Sequence, residues 1–394
     1  MKNRNMDLYL FIPCDLSNFN DSVLNKTTSK EGSLLINQVE MNNKNEFKSE
    51  YVKCLKRYEI GKFNFYFKND SICEKGILSI TEHPKTKVGS LVIYIPQLTN
   101  EPSLILDIFI ANRFKIGNEL ISTWANKNNI HLTGTSKGLL FSYEPIKNDE
   151  IISILACEAN TGQVKGKEFI EMAKNDIAQY KTAKVYCSEN VLLEIQSEAI
   201  NDIKSRISME AVEVFFMELL LLQDAAISRI CDKILQELEI ENKSPLNATN
   251  TDILDALASE LSESILFLDF NNFIYPTVRI SAEKIARNFR LDKLLDKYNT
   301  YKDLLESLIN IRKNKIDDLE TKNMNILLLI LTFTQIIPVL ISLFESITEK
   351  TLSLEDIISF ASSITVCFIL LIVFWYINRR KKRKYKEELL NLKI

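Results

Sequence analysis

Hydrophobic and polar positions divide this chain into three patterns. Near its end, 326–344 reads ILLLILTFTQIIPVLISLF and 357–377 reads IISFASSITVCFILLIVFWYI, nineteen and twenty-one residues without a charge. A helix rising about 1.5 Å per residue carries either run across a hydrocarbon core of roughly 30 Å. Only the twelve residues 345–356 separate them, so the pattern predicts a transmembrane hairpin rather than two buried core helices. The first half reads differently. Short apolar runs at 7–13, 62–67, 77–81, 90–95 and 183–187 predict strands, 130–143 a β-hairpin turning at Gly134 to Gly138, and 151–157 a further strand. Helical patterns are expected at 104–126, 167–180 and 189–206, while the polar stretch 14–58 supports no assignment.

The third pattern lies between. Residues 209–238 are as apolar as a span, yet Glu210, Glu213 and Glu218 interrupt them. A carboxylate near a helix centre in lipid costs about 3 kcal/mol, so a buried protein helix is expected there. An amphipathic helix follows at 251–268, then a break at 271–276. From Ser281, read as an N-cap with Glu283 in the first turn, no glycine or proline appears until Pro338. A 4–3 seam runs through Leu291, Leu295, Tyr298, Lys302, Leu305, Ile309, Arg312, Ile316, Leu319, Asn323, Ile326 and Ile330, as in a helix that packs against copies of itself. Unbroken from 281 to 344, that helix is roughly 96 Å long. The expected architecture is an α+β cytosolic N-terminal domain (1–206), a long helical stalk region (207–325) and two C-terminal transmembrane helices with a basic tail (326–394).

Charge orients the hairpin. Arg379, Arg380, Lys381, Lys382, Arg383, Lys384 and Lys386 follow the second run, whereas the connecting loop holds Glu345, Glu349, Glu355 and Asp356 against Lys350. Basic residues stay inside, which places both termini in the cytoplasm of a two-pass protein of the cell (inner) membrane. The basic tail then meets lipid headgroups rather than nucleic acid. A net charge of −3 likewise offers nucleic acid no overall field. The basic start of the chain precedes too short an apolar run for a signal peptide. Seven scattered cysteines, without a CxxC pair and with only two histidines, fit reduced thiols better than disulfides or a zinc site. All nine glycines lie between Gly32 and Gly166, so turns punctuate the first part and not the last.

Motifs for catalysis are missing. Gly134-Thr-Ser-Lys-Gly138 lacks the spacing of a phosphate-binding loop and reads as a turn. No HExxH or GxGxxG occurs, the GxSxG match is this same turn, and no enzyme is expected. The membrane part has one chemical feature. Asn325, Thr332, Gln335 and Ser342 are spaced seven, three and seven apart, on one helix face, and would line a pore if several copies assembled. Packing between helices explains the same spacing.

The layout of cytosolic domain, long helix, first span, short acidic turn, second span and basic tail resembles the CorA-like two-span channel superfamily, and MELLLLQDAAISRICDKIL is similar to it in character. The resemblance covers about 209–394. It implies a cytosol-gated homopentamer whose first span lines the pore. The family's Gly-Met-Asn at the outer end of that span is absent: Phe344-Glu345-Ser346 stands there. In this the chain resembles the CorA-like membrane effectors of type III CRISPR antiviral defence, which implies activation by a nucleotide messenger, an S-adenosylmethionine–AMP conjugate, rather than magnesium uptake. A divalent metal cation channel of the Mg2+ type, using the acidic turn to concentrate ions, is the alternative; a non-conducting anchor is a third. No catalytic, metal or ligand-binding residue is assigned, and the expected partners are further copies of the chain, membrane lipids and the messenger.

Overall fold

The computed structural model describes residues 5–19, 29–67, 70–158, 167–177, 180–198, 200, 202–243, 251–348 and 358. It divides into two compact units, Met1–Ile309 and Asn310–Ile394.

The first unit is built on one sheet. Its central strand is β1 (Met6–Asp15), where Tyr9 and Phe11 face one side and Leu8, Leu10 and Ile12 the other, all buried. Such two-sided burial explains the near-continuous apolar run of 7–13. A meander of β2 (Lys56–Phe67), β3 (Ile72–Glu82) and β4 (Val88–Ile95) pairs antiparallel onto one edge of β1. With the short β5 (Lys115–Ile116), β6 (Glu119–Leu120) and β7 (His131–Leu132), then β8 (Lys137–Ser142), β9 (Ala183–Cys187) and β10 (Val191–Gln196), the strand order is β6-β5-β2-β3-β4-β1-β8-β10-β9. Only the β8–β10 pairing is parallel among the described ladders.

Helices cover both faces. On one lie α1 (Lys30–Glu46), α7 (Ile203–Lys243) and α9 (Pro276–Asn288); on the other α3 (Pro102–Ile110), α4 (Ile121–Lys127) and α5 (Asn148–Ala156). Short helices α2 (Glu50–Lys53) and α6 (Lys167–Met172) complete this part, and α8 (Thr251–Glu263) lies along α7. Helix α7 is buried on most of its circumference between sheet and helices, with Phe215 through Leu222 almost wholly removed from water. That is why its middle is apolar all round.

Several expectations are corrected. Residues 104–126 are not one helix: α3 ends at Ile110 with Ala111 as its C-cap, and β5 and β6 precede α4. Residues 130–143 are not a hairpin. β7 and β8 both pair antiparallel with β1, Leu132 opposite Cys14 and Lys137 opposite Phe11, so they act as one strand with a bulge between them. Gly134 sits in that bulge at φ +65°, where a Cβ would lie 2.6 Å from the Asp224 carboxylate of α7. The strand expected at 151–157 is helix α5, opened by Asn148, Asp149 and Glu150 and closed by Cys157 in the left-handed region. Within 189–206, Val191–Gln196 is strand β10, inserted between β8 and β9, and helix begins only at Ile203. Ser281 is not an N-cap: it is buried inside α9, whose N-cap is Tyr275.

The long helix, α10, is Leu291–Thr348, 58 residues, separated from α9 by Phe289 and by Arg290 at φ +61°. Buried Phe289 turns the chain there without glycine or proline, so the break left no mark in composition. In the first unit, Leu305 and Leu308 of α10 pack with Ile230 and Ile234 of α7 and Leu254, Leu257 and Leu261 of α8. Tyr298 and Ile309 of the expected seam join that cluster; Leu295 is exposed. This part of the seam serves the chain's own domain. In the second unit Leu319 is exposed, and Ile316 lies outside the described side chains.

Candidate functional site

The α10 backbone is helical through all of 326–344. Ile326, Leu327, Leu328, Leu329, Ile330, Leu331 and Phe333 are all exposed, on every side of the helix. Among the described residues no helix is long and apolar enough to cross a membrane. Six of the nineteen side chains of 326–344 (Thr334, Gln335, Pro338, Val339, Ser342 and Leu343) lie outside those residues. Of the four polar positions, Asn325 is half-buried, and Thr332, also half-buried, donates its hydroxyl to the Leu328 carbonyl oxygen at 2.7 Å. This back-bond satisfies the hydroxyl within its own helix, as an apolar setting demands. Gln335 and Ser342 are placed by backbone alone. Glu345 falls in the last turn of α10, while Glu349, Glu355, Asp356 and the second charge-free run, except Ile358, lie outside the described residues. These residues are therefore located on an element rather than gathered into a site.

The gathered polar chemistry is where α7 crosses the sheet. Glu210 is fully buried and accepts hydrogen bonds from the hydroxyls of Tyr9 (2.5 Å) and Tyr143. Beside it, Asp7 accepts from the Gln97 backbone N–H at 2.8 Å and faces Arg206. Arg206 also donates to the Ile200 carbonyl oxygen (2.5 Å) and to Asn5, with its guanidinium 4.3 Å from the Tyr143 ring centroid. Burial first, and then the neighbouring Asp7 charge, push the Glu210 carboxyl well above the ordinary range. Burial and Glu210 likewise push the Tyr9 and Tyr143 hydroxyls up.

Two turns further along α7, Glu218 takes two hydrogen bonds from Arg57 of β2, at 2.9 Å from Nε and 2.6 Å from Nη2. The Thr81 hydroxyl of β3 adds a third at 2.5 Å. A charged pair this deep needs such geometry to offset its desolvation. Together the two sets fasten α7 to β1, β2, β3 and Tyr143 just after β8. They couple elements far apart along the chain. The sequence showed Glu210 and Glu218 as anomalies in an apolar run, but not their partners, which lie 67 to 201 residues away.

A small cleft opens on the same side of the sheet, between the β9–β10 edge, α7 and α9. Val185, Val212, Phe216, Val278 and Ile285 form its apolar wall, and Tyr180, Glu194, Glu213 and Ser281 its polar part. Tyr180 donates its hydroxyl to Ser281 Oγ at 3.0 Å. No metal-ligating group of three or more His, Cys, Asp or Glu occurs among the described residues.

No family model, curated protein or solved structure matches the chain.

Proposed function

We propose that this chain is a subunit of an oligomeric, ligand-gated membrane channel: a CorA-like effector of type III CRISPR antiviral defence, opened by a nucleotide messenger such as the S-adenosylmethionine–AMP conjugate. One observation carries the reading. A single helix, α10, starts in the hydrophobic cluster it shares with α7 and α8 and continues without a break through the nineteen uncharged residues 326–344. In this reading 326–344 and 357–377 form a two-pass hairpin in the inner membrane with both termini cytoplasmic. Asn325, Thr332, Gln335 and Ser342 face the pore of a homopentamer. Ligand binding to the sheet domain moves α7, and the shared cluster passes that movement to α10. The Phe344-Glu345-Ser346 end lacks the groups that hold a hydrated divalent ion, so the opened path is weakly selective.

The test is ion flux from liposomes holding the purified full chain. Flux that rises on adding the adenylate messenger supports the proposal. Magnesium flux without messenger supports the divalent cation channel instead, and no flux under either condition leaves the anchor.

A further inference from the structure

The chain turns at Phe289 and Arg290 without local help. Between Pro276 and Pro338 the sequence has neither glycine nor proline. Yet α9 stops at Asn288 and α10 starts at Leu291. Arg290 holds the stop at φ +61°, a left-handed conformation that burdens any residue with a Cβ. Three backbone hydrogen bonds define this elbow. Phe289 N–H donates to the Ile285 carbonyl oxygen (3.0 Å), Arg290 N–H to that of Arg287 (3.1 Å) and Leu294 N–H to that of Arg290 (3.3 Å). A backbone of this kind persists where its surroundings impose it.

Lys137 of β8 belongs to those surroundings. It is only 6 % exposed. Its Nζ donates to the Glu189 carbonyl oxygen at 2.6 Å and to Asn190 Oδ1 at 3.3 Å, both in the turn between β9 and β10. The same nitrogen lies 5.4 Å from the centroid of the Phe289 ring. Two oxygens and one aromatic face match the three N–H donors of an ammonium. Burial pulls the Lys137 pKa below the ordinary lysine value, which marks the cost of holding a cation there. An apolar side chain of similar length would fill the space at less cost, so the ammonium is kept for what it grips. Its grip is on Phe289, itself 5 % exposed. The Glu189 carboxylate reaches the elbow from outside, 3.7 Å from Arg290 Nε, but that pair is exposed and adds little.

We propose that Lys137 is the latch of the α9–α10 elbow: its ammonium, held by the β9–β10 turn, pins the Phe289 ring and keeps Arg290 in the left-handed turn, and release of the latch opens the elbow. Lys137 is thus a positioning residue, and a second link between the sheet and the start of α10. The latch stands independently of the membrane reading, because it is read by amide exchange and not by flux.

The experiment is hydrogen exchange of the full chain in detergent micelles at neutral pH, followed by mass spectrometry of peptides covering Phe289–Leu294. Lys137→Met keeps the length of the side chain and removes its donors. Exchange at the elbow should become at least about tenfold faster, while β8 and β10 change by less than about twofold. Adding Arg290→Gly to Lys137→Met should restore most of the protection, since glycine holds a positive φ without a latch. A substitution that only damaged the core would not be rescued in this way. Phe289→Leu keeps an apolar side chain and removes the ring; it should speed elbow exchange severalfold and covers the case in which Lys137→Met does not fold. Unchanged exchange at the elbow in a folded single variant, equal acceleration throughout the sheet, or no recovery with Arg290→Gly overturns the proposal.

Discussion

Two apolar helical stretches, the middle of α7 and the 326–344 part of α10, have similar leucine-rich composition and opposite surroundings. In α7, Leu219, Leu221 and Leu222 are wholly buried, and its two deeply buried carboxylates are met by Tyr9, Tyr143, Arg57 and Thr81. In α10, Leu327 and Leu328 are 58 % and 56 % exposed, and no carboxylate occurs between Asn325 and Phe344. A helix tolerates acids in an apolar run only where a partner across the interface supplies donors. Where the surroundings are lipid no such partner exists, and the run must be free of charge. The difference teaches that the carboxylates, rather than hydropathy, separate a core helix from a candidate span.

This contrast can be broken most strongly at Arg57. Arg57→Ala leaves the Glu218 carboxylate buried without its two guanidinium bonds and should cost about 3–5 kcal/mol, read from denaturant unfolding of the full chain in micelles. A loss below about 1 kcal/mol would mean that the pair is not a fastening. The next effect compares one substitution in both helices. Leu221→Ala should destabilise by about 3 kcal/mol through transfer and cavity terms, while Leu328→Ala should change unfolding by less than about 0.5 kcal/mol, because Leu328 is exposed among the described residues. Equal effects would erase the distinction.

Third comes a pH difference at Glu194. Burial lifts its carboxyl from 4.5 to about 7, opposed by the Gln196 amide. The unfolded chain gives up this proton near pH 4.5 and the folded chain only near 7. The stability contribution is therefore unaffected below about pH 4.5, falls as pH rises through that window, and stays low above it, by about 3 kcal/mol in the limit. Subtracting the Glu194→Gln profile from that of the wild type isolates the effect from Asp7 and Glu210, which burial also raises. A flat difference profile would place the Glu194 carboxyl at its ordinary value. The smallest effect concerns the polar face of α10. Thr332→Leu with Gln335→Leu should lower messenger-dependent liposome flux severalfold; unchanged flux would assign these residues to packing.

How much was legible beforehand follows from the range of the interactions. The strands at 7–13, 62–67, 77–81, 90–95 and 183–187 announce themselves through local apolar runs, and the structure has β1, β2, β3, β4 and β9 there. Residues 151–157 are an apolar run of a length that suits either strand or helix, and local pattern could not arbitrate. Val191–Gln196 becomes a strand because β8 and β9 offer edges on both sides of it, which is information from 53 residues upstream for β8. The stop between α9 and α10 depends on Phe289 finding the core. The partners of Glu210 and Glu218, and the lysine that meets Phe289, likewise come from β1, β2, β3, β8 and the residue just after it, and no spacing rule joins them.

By itself the sequence determined where charge is forbidden and where it is concentrated: two uncharged runs, an acidic turn, a basic tail and a carboxylate-bearing apolar helix. Those are properties of contiguous residues and of the solvent each one prefers. Only the tertiary structure decided which face of α7 meets the sheet, which hydroxyls and guanidinium groups satisfy its acids, and which carboxylate is left facing a cleft. Hydrogen bonds and burial depend on groups far apart along the chain that meet only once the sheet has formed.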